Sequence, residues 1–281
     1  MESKLLTAYR ANPNHGVGPC EGSYAWKVER EIEQRFRVRH AVVMSSGTAS
    51  LHSAMVALAL RPGDEVITSP ISFAATASAI VLAGGVVRFA DVDPRTFVLT
   101  PETVKREITG KTKAILYVHL FGASVGSIQS LSQLGLPVVE DACQAVGGET
   151  GKHYAGTCGI AGAYSFGGRK QVTAGEGGML VTNSDTVARS ARLTMNHGEC
   201  FGGPVGYNYR PNEATCKLIL AGLKRLKDNT PFAVPYLVKK RGPNDKPYID
   251  RPLYELPAFQ KYKRGNLPVA EELTRRTLCV R

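Results

Sequence analysis

Four short stretches hold the side chains best placed to do chemistry. Ser45-Ser46-Gly47-Thr48-Ala49 sits between an apolar run and a helical pattern. Free N–H groups at a helix start, a glycine that permits close approach and adjacent hydroxyls together suit a phosphate. Small residues in such a turn also serve simply as a cap, and the GxxxxGK[ST] signature of triphosphate-binding loops is absent. Val138-Val139-Glu140-Asp141-Ala142 ends an apolar run in two carboxylates, and a buried Asp141 must pair with a cation, whether from a ligand or in a structural ion pair. In Ser165-Phe166-Gly167-Gly168-Arg169-Lys170, followed by Gly175-Glu176-Gly177-Gly178, a lysine emerges from a small-residue turn. Desolvation there lowers an amine's pKa toward nucleophilic use, the alternative being an ordinary surface lysine. Phe73, just past the apolar run Glu65 to Thr68, is placed to stack on a planar ligand or to fill a core.

Taken together, a phosphate cradle, a carboxylate, an aromatic plate and a lysine are what pyridoxal 5'-phosphate (PLP) demands. The lysine amine condenses with the aldehyde, the carboxylate keeps the pyridine nitrogen protonated, and the glycine-rich turn with its hydroxyls holds the phosphate.

The elements that must position these groups alternate in type along the chain. A charged helix over Ala25 to Arg39, with apolar Trp26, Val28, Ile32 and Phe36, leads into a strand over His40 to Met44. The spacing then predicts a helix over Thr48 to Leu60, a strand over Glu65 to Thr68, a helix over Ala74 to Ala83 and a strand over Val86 to Val92. Further on come a helix over Pro101 to Ile108, a strand over Ala114 to His119, a helix over Ser127 to Leu134 and a strand over Pro137 to Asp141. Helices interleaved with β-branched, nearly all-apolar strands mark an α/β protein with a mostly parallel sheet covered on both faces. Ligands of such sheets gather at the carboxyl ends of the strands, where all four groups fall. After Asp141 glycines multiply, with strands expected over Ala161 to Phe166 and Gly178 to Thr182 and helices over Asp185 to Asn196 and Glu213 to Lys227. Beyond Asn229 the chain is rich in Pro, Lys, Arg and Tyr, with little periodicity before Val269 to Leu278.

Composition narrows the class further. At 281 residues, 43% hydrophobic and 21% charged, the chain is of ordinary globular composition and long enough for a sizeable core. No run suits a membrane-spanning helix and Met1 to Arg10 lacks the apolar centre of a signal peptide, so a cytoplasmic setting is expected. Six scattered cysteines without a CxxC pair argue against a disulfide framework or a zinc site. The net charge of +11 is concentrated late, since Lys217 to Arg281 holds 15 basic against 6 acidic residues. Such a tail can meet nucleic acid, an anionic surface or a phosphorylated substrate, or form a solvated basic face. The cluster Lys239-Lys240-Arg241 has only Tyr236 and Tyr248 nearby and no nucleic-acid-binding module, which makes nucleic acid the weakest of these partners.

In order along the chain stand SSGTASLHSAMVALALRPGDEVITSPISFAATASAI, GGVVRFADVDPRTFVLTPETV, VVEDACQAVGG, GAYSFGGRKQVTAGEGGMLVTN, MNHG and GYNYRPNEA. In these stretches, from about Gly18 to Asp228, the chain resembles the DegT/DnrJ/EryC1/StrS family of PLP-dependent sugar aminotransferases, of fold type I. The resemblance implies that Lys170 bonds to the cofactor aldehyde and that Asp141 pairs with the pyridine nitrogen. It further implies Gln144 close to the ring, Phe73 over one face, and Gly47, Thr48, Ala49 and Ser165 around the phosphate. Asn208, in Gly206-Tyr207-Asn208-Tyr209, matches the asparagine that reaches the phosphate of the neighbouring subunit's cofactor, which implies a homodimer with shared sites. Lys170 also argues against the dehydratases of the family, whose lysine is replaced by histidine. The expected reaction passes an amino group from an amino-acid donor, glutamate or glutamine, to a keto sugar, nucleotide-linked, or to a related cyclic ketone.

Two departures accompany the resemblance. Gly167-Gly168-Arg169 stands where most relatives carry larger residues before the lysine, and the stretch after Asp228 is short for the family. The expected division is a large cofactor-binding domain over 1–228 and a shortened small-domain remnant over 229–281, leaving the substrate-side wall as the altered part. The competing reading is a PLP-binding homologue with impaired catalysis that serves as a partner or regulatory subunit.

Overall fold

Strands that are apolar on both faces must be covered on both, and this requirement organises the chain. The computed structural model describes residues 11–12, 16–17, 19, 21–122, 126–150, 152–198, 203–242, 244–245 and 247–280. The expectations placed on Met1 to Arg10, on the start of the resemblance at Gly18, and on Cys20 and Cys200 lie outside those residues.

The central sheet has seven strands: β1 (His40–Met44), β2 (Glu65–Thr68), β3 (Val86–Phe89), β4 (Thr112–Val118), β5 (Val138–Asp141), β6 (Ala161–Ser165) and β7 (Gly178–Thr182). Their spatial order is β1-β7-β6-β5-β4-β2-β3. Pairing is parallel from β6 through β5, β4 and β2 to β3, whereas β7 runs antiparallel to both β6 and β1. The sheet is therefore mostly parallel, as the alternating pattern requires. Strand direction has one decisive effect: the carboxyl ends of β1, β2, β5 and β6 all face the same edge.

Among the described residues eight α-helices accompany the sheet: α1 (Tyr24–Phe36), α2 (Gly47–Ala57), α3 (Ala74–Leu82), α4 (Pro101–Lys105), α5 (Gly126–Ser132), α6 (Asp185–Met195), α7 (Glu213–Leu223) and α8 (Pro268–Arg276). In α1 the stripe Val28, Ile32 and Phe36 is buried, together with Glu29. That carboxylate is tolerated because Arg192 pairs with it at 2.9 Å and the Val43 amide donates to it at 3.1 Å. The start of α1 is held from afar, since the Tyr24 and Ala25 amides both donate to the Glu213 carboxylate.

The segment after Asp228 packs back onto this frame. Phe232, Leu253, Tyr254, Phe259, Leu267, Ala270 and Leu273 belong to the same continuous core as the sheet. The Val269 and Ala270 amides, at the start of α8, donate to Asp91, and the Leu253 amide donates to the Pro70 carbonyl. Two strands absent from the periodicity reading, β8 (Val234–Leu237) and β9 (Thr277–Val280), pair antiparallel. Part of the basic charge here is paired: Arg264 reaches back to Glu65, while Arg276 pairs with Glu272 and Arg251 with Asp250. Among the described residues no helix is long and apolar enough to cross a membrane.

Candidate active site

The shared strand edge opens into a cleft of about 930 Å³, whose wall includes Ser46, Gly47, Thr48, Phe73, Asp141, Cys143, Gln144, Ser165 and Lys170. Seven of the nine residues expected from sequence to serve a cofactor thus meet on one surface. Ala49 and Asn208 are not on it.

The turn after β1 is shaped for an anion. Ser46 caps α2, its hydroxyl accepting from the Ala49 amide at 3.1 Å, so that amide is already engaged. The Gly47 and Thr48 amides, in the first turn, have no acceptor within the helix. Gly47 is demanded by space rather than by backbone angle. A Cβ there would lie 2.8 Å from Ser165 Cβ and 2.9 Å from Cys143 Sγ, so a side chain would fill the cradle. Thr48 is exposed on the cleft and Ser165 is half-buried beside it.

Asp141 ends β5 and is 6% exposed. Its Oδ2 accepts from the Thr76 hydroxyl at 2.6 Å, and Thr76 in turn shares a hydrogen bond of 2.7 Å with the Ser72 hydroxyl. Its Oδ1 accepts from the Cys143 amide at 3.2 Å. Glu140, one residue earlier, belongs to the opposite face by strand alternation. There it pairs with His119 at 2.8 Å and accepts from the Gly156 and Cys158 amides, each at 2.7 Å. The two carboxylates that close the apolar run thus have separate tasks, one toward the cleft and one behind the sheet.

Lys170 stands in the loop that joins β6 to the antiparallel β7, its amide donating to the Gly167 carbonyl at 3.0 Å. Its Nζ lies 4.9 Å from the centroid of the Phe232 ring, an aromatic neighbour supplied from beyond Asp228. Cys143 ties the two charged groups together. Burial pushes its thiol pKa well above the ordinary value, the Asp141 charge raises it further, and the Lys170 ammonium opposes the rise. One thiol is therefore in electrostatic reach of both the acid and the amine.

Phe73, at the start of α3, is 65% exposed and borders the cleft. It is a wall residue, not a core aromatic. Gln144 is buried with its Oε1 accepting from the Phe121 amide at 3.0 Å, and its Nε2 reaches the Tyr248 hydroxyl at 3.5 Å. The far wall includes Phe232, Tyr248, Asp250, Arg251 and Leu253, with Arg169 and Glu176 also on the lining. Sequence reasoning passed over Thr76, Phe232 and Tyr248. Thr76 carried one signal, its place three residues after Phe73 in the first turn of a helix facing the site.

The sequence profile of the DegT/DnrJ/EryC1/StrS aminotransferase family matches residues 4–231. The chain belongs to this family. GDP-perosamine synthase of Vibrio cholerae is 36% identical over 214 residues, covering 73% of this chain and 58% of that one. A pleiotropic regulatory protein of Geobacillus stearothermophilus is 38% identical over 205 residues, covering 70% of this chain and 55% of its own length. The chain thus spans a little over half the length of these curated relatives. Among solved structures, an aminotransferase from Psychrobacter cryohalolentis superposes with a TM-score of 0.79 at 26% identity, over 91% of this chain and 85% of that one. The architecture is that of the fold type I aminotransferases.

Proposed function

We propose that this chain is a PLP-dependent aminotransferase that moves an amino group from glutamate or glutamine to a keto sugar carried on a nucleotide. The observation that carries the reading is the convergence of Asp141, Lys170 and the Ser46-Gly47-Thr48 turn on one cleft, with Cys143 on the same wall. The residues fit the cofactor: the Gly47 cradle has no room for a Cβ, and Asp141 is a deeply buried carboxylate oriented by two donors. PLP, when bound, supplies the electron-withdrawing ring that makes a proton on the donor's α-carbon removable.

The protein's own residues do the rest. Gly47 and Thr48 would hold the phosphate with their amides and the Thr48 hydroxyl, and Ser165 would close the cradle. Asp141 would pair with the pyridine N–H, kept in place by Thr76 and Cys143. Phe73 would cover the ring, and Gln144, anchored to the Phe121 amide, would stand at its edge. Lys170 Nζ would hold the cofactor at its aldehyde and, as a free amine, would serve as the base and acid that moves a proton at the donor's α-carbon. Phe232, whose ring lies 4.9 Å from that amine and 5.3 Å from the Tyr248 ring, would shield one side of it from water. Asn208, exposed and off its own cleft, would reach the phosphate held by a second copy, which makes the working unit a homodimer.

A second reading has one observation behind it. A relative at 38% identity is named a pleiotropic regulatory protein, and a chain that binds PLP without turning over would suit a regulatory partner. One experiment separates the two. Purified protein is loaded with PLP, and glutamate and glutamine are scored for loss of the lysine-linked visible absorbance, then keto-sugar nucleotides for its return. Loss and return support the aminotransferase; a chromophore that no donor bleaches supports the regulatory reading. Failure to take up PLP at all overturns both.

A further inference from the structure

We infer that His52 and Tyr209 are positioning residues that hold Asn208 toward the neighbouring subunit's site; the inference rests on the shared-site reading proposed above. Residues 207–209 run in extended form, bridged at Asn208 to Asn196. Side chains therefore alternate, with Tyr207 and Tyr209 on one side and Asn208 on the other. The two tyrosine rings stack at 5.1 Å with 5° between their planes. His52 meets both edge-on, at 5.0 and 5.9 Å, and its Nδ1 shares a hydrogen bond of 3.0 Å with the Tyr209 hydroxyl.

His52 is 1% exposed and sits on α2, the helix that begins with the phosphate-binding turn. The Ser45 amide, just before that turn, donates to the Tyr209 carbonyl at 2.7 Å. The Tyr207 and Tyr209 amides donate to the Thr194 and Met195 carbonyls. An exposed asparagine is thus carried on a strand pinned from behind by a buried imidazole and two aromatic rings. All of these contacts fix the backbone on either side of Asn208.

The test uses differently tagged subunits purified as heterodimers, with PLP titrations read by the lysine-linked absorbance. His52→Leu homodimers are expected to need about tenfold more PLP for half-saturation, and His52→Asn, which retains a hydrogen-bonding group, to stay within about twofold. In a heterodimer of His52→Leu with Lys170→Ala, the absorbance reports only the His52→Leu subunit's site. The Asn208 serving that site comes from the partner with an intact His52. Half-saturation there is expected to return to within about twofold of wild type. Persistence of the tenfold weakening would overturn the inference, because His52 would then act on its own subunit's turn. Tyr209→Phe, paired in the same way, gives the same two outcomes should His52→Leu not fold. The shared-site reading is tested separately by pairing Asn208→Ala with Lys170→Ala: recovery supports it, and weakness equal to the Asn208→Ala homodimer overturns it.

Discussion

The Thr76 hydroxyl donates to Asp141 Oδ2 at 2.6 Å, and through it α3 sets the direction of the carboxylate at the end of β5. Removing that donor leaves a buried acceptor short of a partner, a loss of about 1–3 kcal/mol. Thr76→Val is expected to weaken PLP binding about tenfold with little change in secondary structure, whereas Thr76→Ser should hold near wild type. Absorbance titration beside circular dichroism checks both. Equal PLP affinity in wild type and Thr76→Val would remove Thr76 from the site.

Gly47 tests the cradle. An alanine Cβ at that position would approach Ser165 Cβ to 2.8 Å and Cys143 Sγ to 2.9 Å, so the wall must move. Gly47→Ala is expected to cost about 1–3 kcal/mol, as overpacked interiors do. The double variant Gly47→Ala with Cys143→Ala should recover part of it, since one of the two obstructing atoms is gone. Chemical denaturation of the apoprotein measures each change.

Cys143 offers a probe of Lys170 that requires no cofactor. Burial and the Asp141 charge hold the thiol well above its ordinary pKa, and Lys170 works against them. Alkylation at neutral pH is therefore expected to be slow although the residue lines the cleft, because the thiolate is the reacting form. Lys170→Ala should make it slower still. An unchanged or faster rate at Cys143, followed by peptide mapping, would place the amine away from the thiol.

His52 gives a pH signature. Burial is the main cause that lowers its pKa, partly opposed by the nearby Leu82 backbone. In the unfolded chain histidine titrates near about 6.5. Below that pH the unfolded state takes up a proton that the folded state resists, so stability rises with pH across this window and falls on acidification. The melting temperature of the wild type should therefore drop more between about pH 7.5 and about pH 5.5 than that of His52→Asn. Parallel profiles for the two proteins would show that His52 titrates alike in both states.

The parts of the site legible in the sequence were those carried by local pattern. Glu65–Thr68 and Gly178–Thr182 are strands with the bounds that their apolar runs imply, and the turns after β1, β5 and β6 hold the residues singled out for chemistry. Several helices stop earlier than their periodicity suggests: α2 ends at Ala57 and α4 at Lys105. Periodicity reports which face is apolar, whereas hydrogen bonding decides where the last turn closes. Thr76 was hidden because its partner lies 65 positions away in the chain. Phe232 and Tyr248 were hidden for the same reason, since their site partners Lys170 and Gln144 lie far back in the chain. The antiparallel direction of β7 is a property of the β6–β7 connection, and an apolar strand reads the same in either direction.

The central claim, that Lys170 and Asp141 serve one PLP molecule, is tested most directly by borohydride reduction of the PLP-loaded protein followed by peptide mass mapping. The pyridoxyl label should appear on Lys170, and Asp141→Ala should lower the PLP affinity with which that same lysine is labelled. A label carried by another lysine, or labelling of Lys170 indifferent to the loss of Asp141, would contradict the shared site.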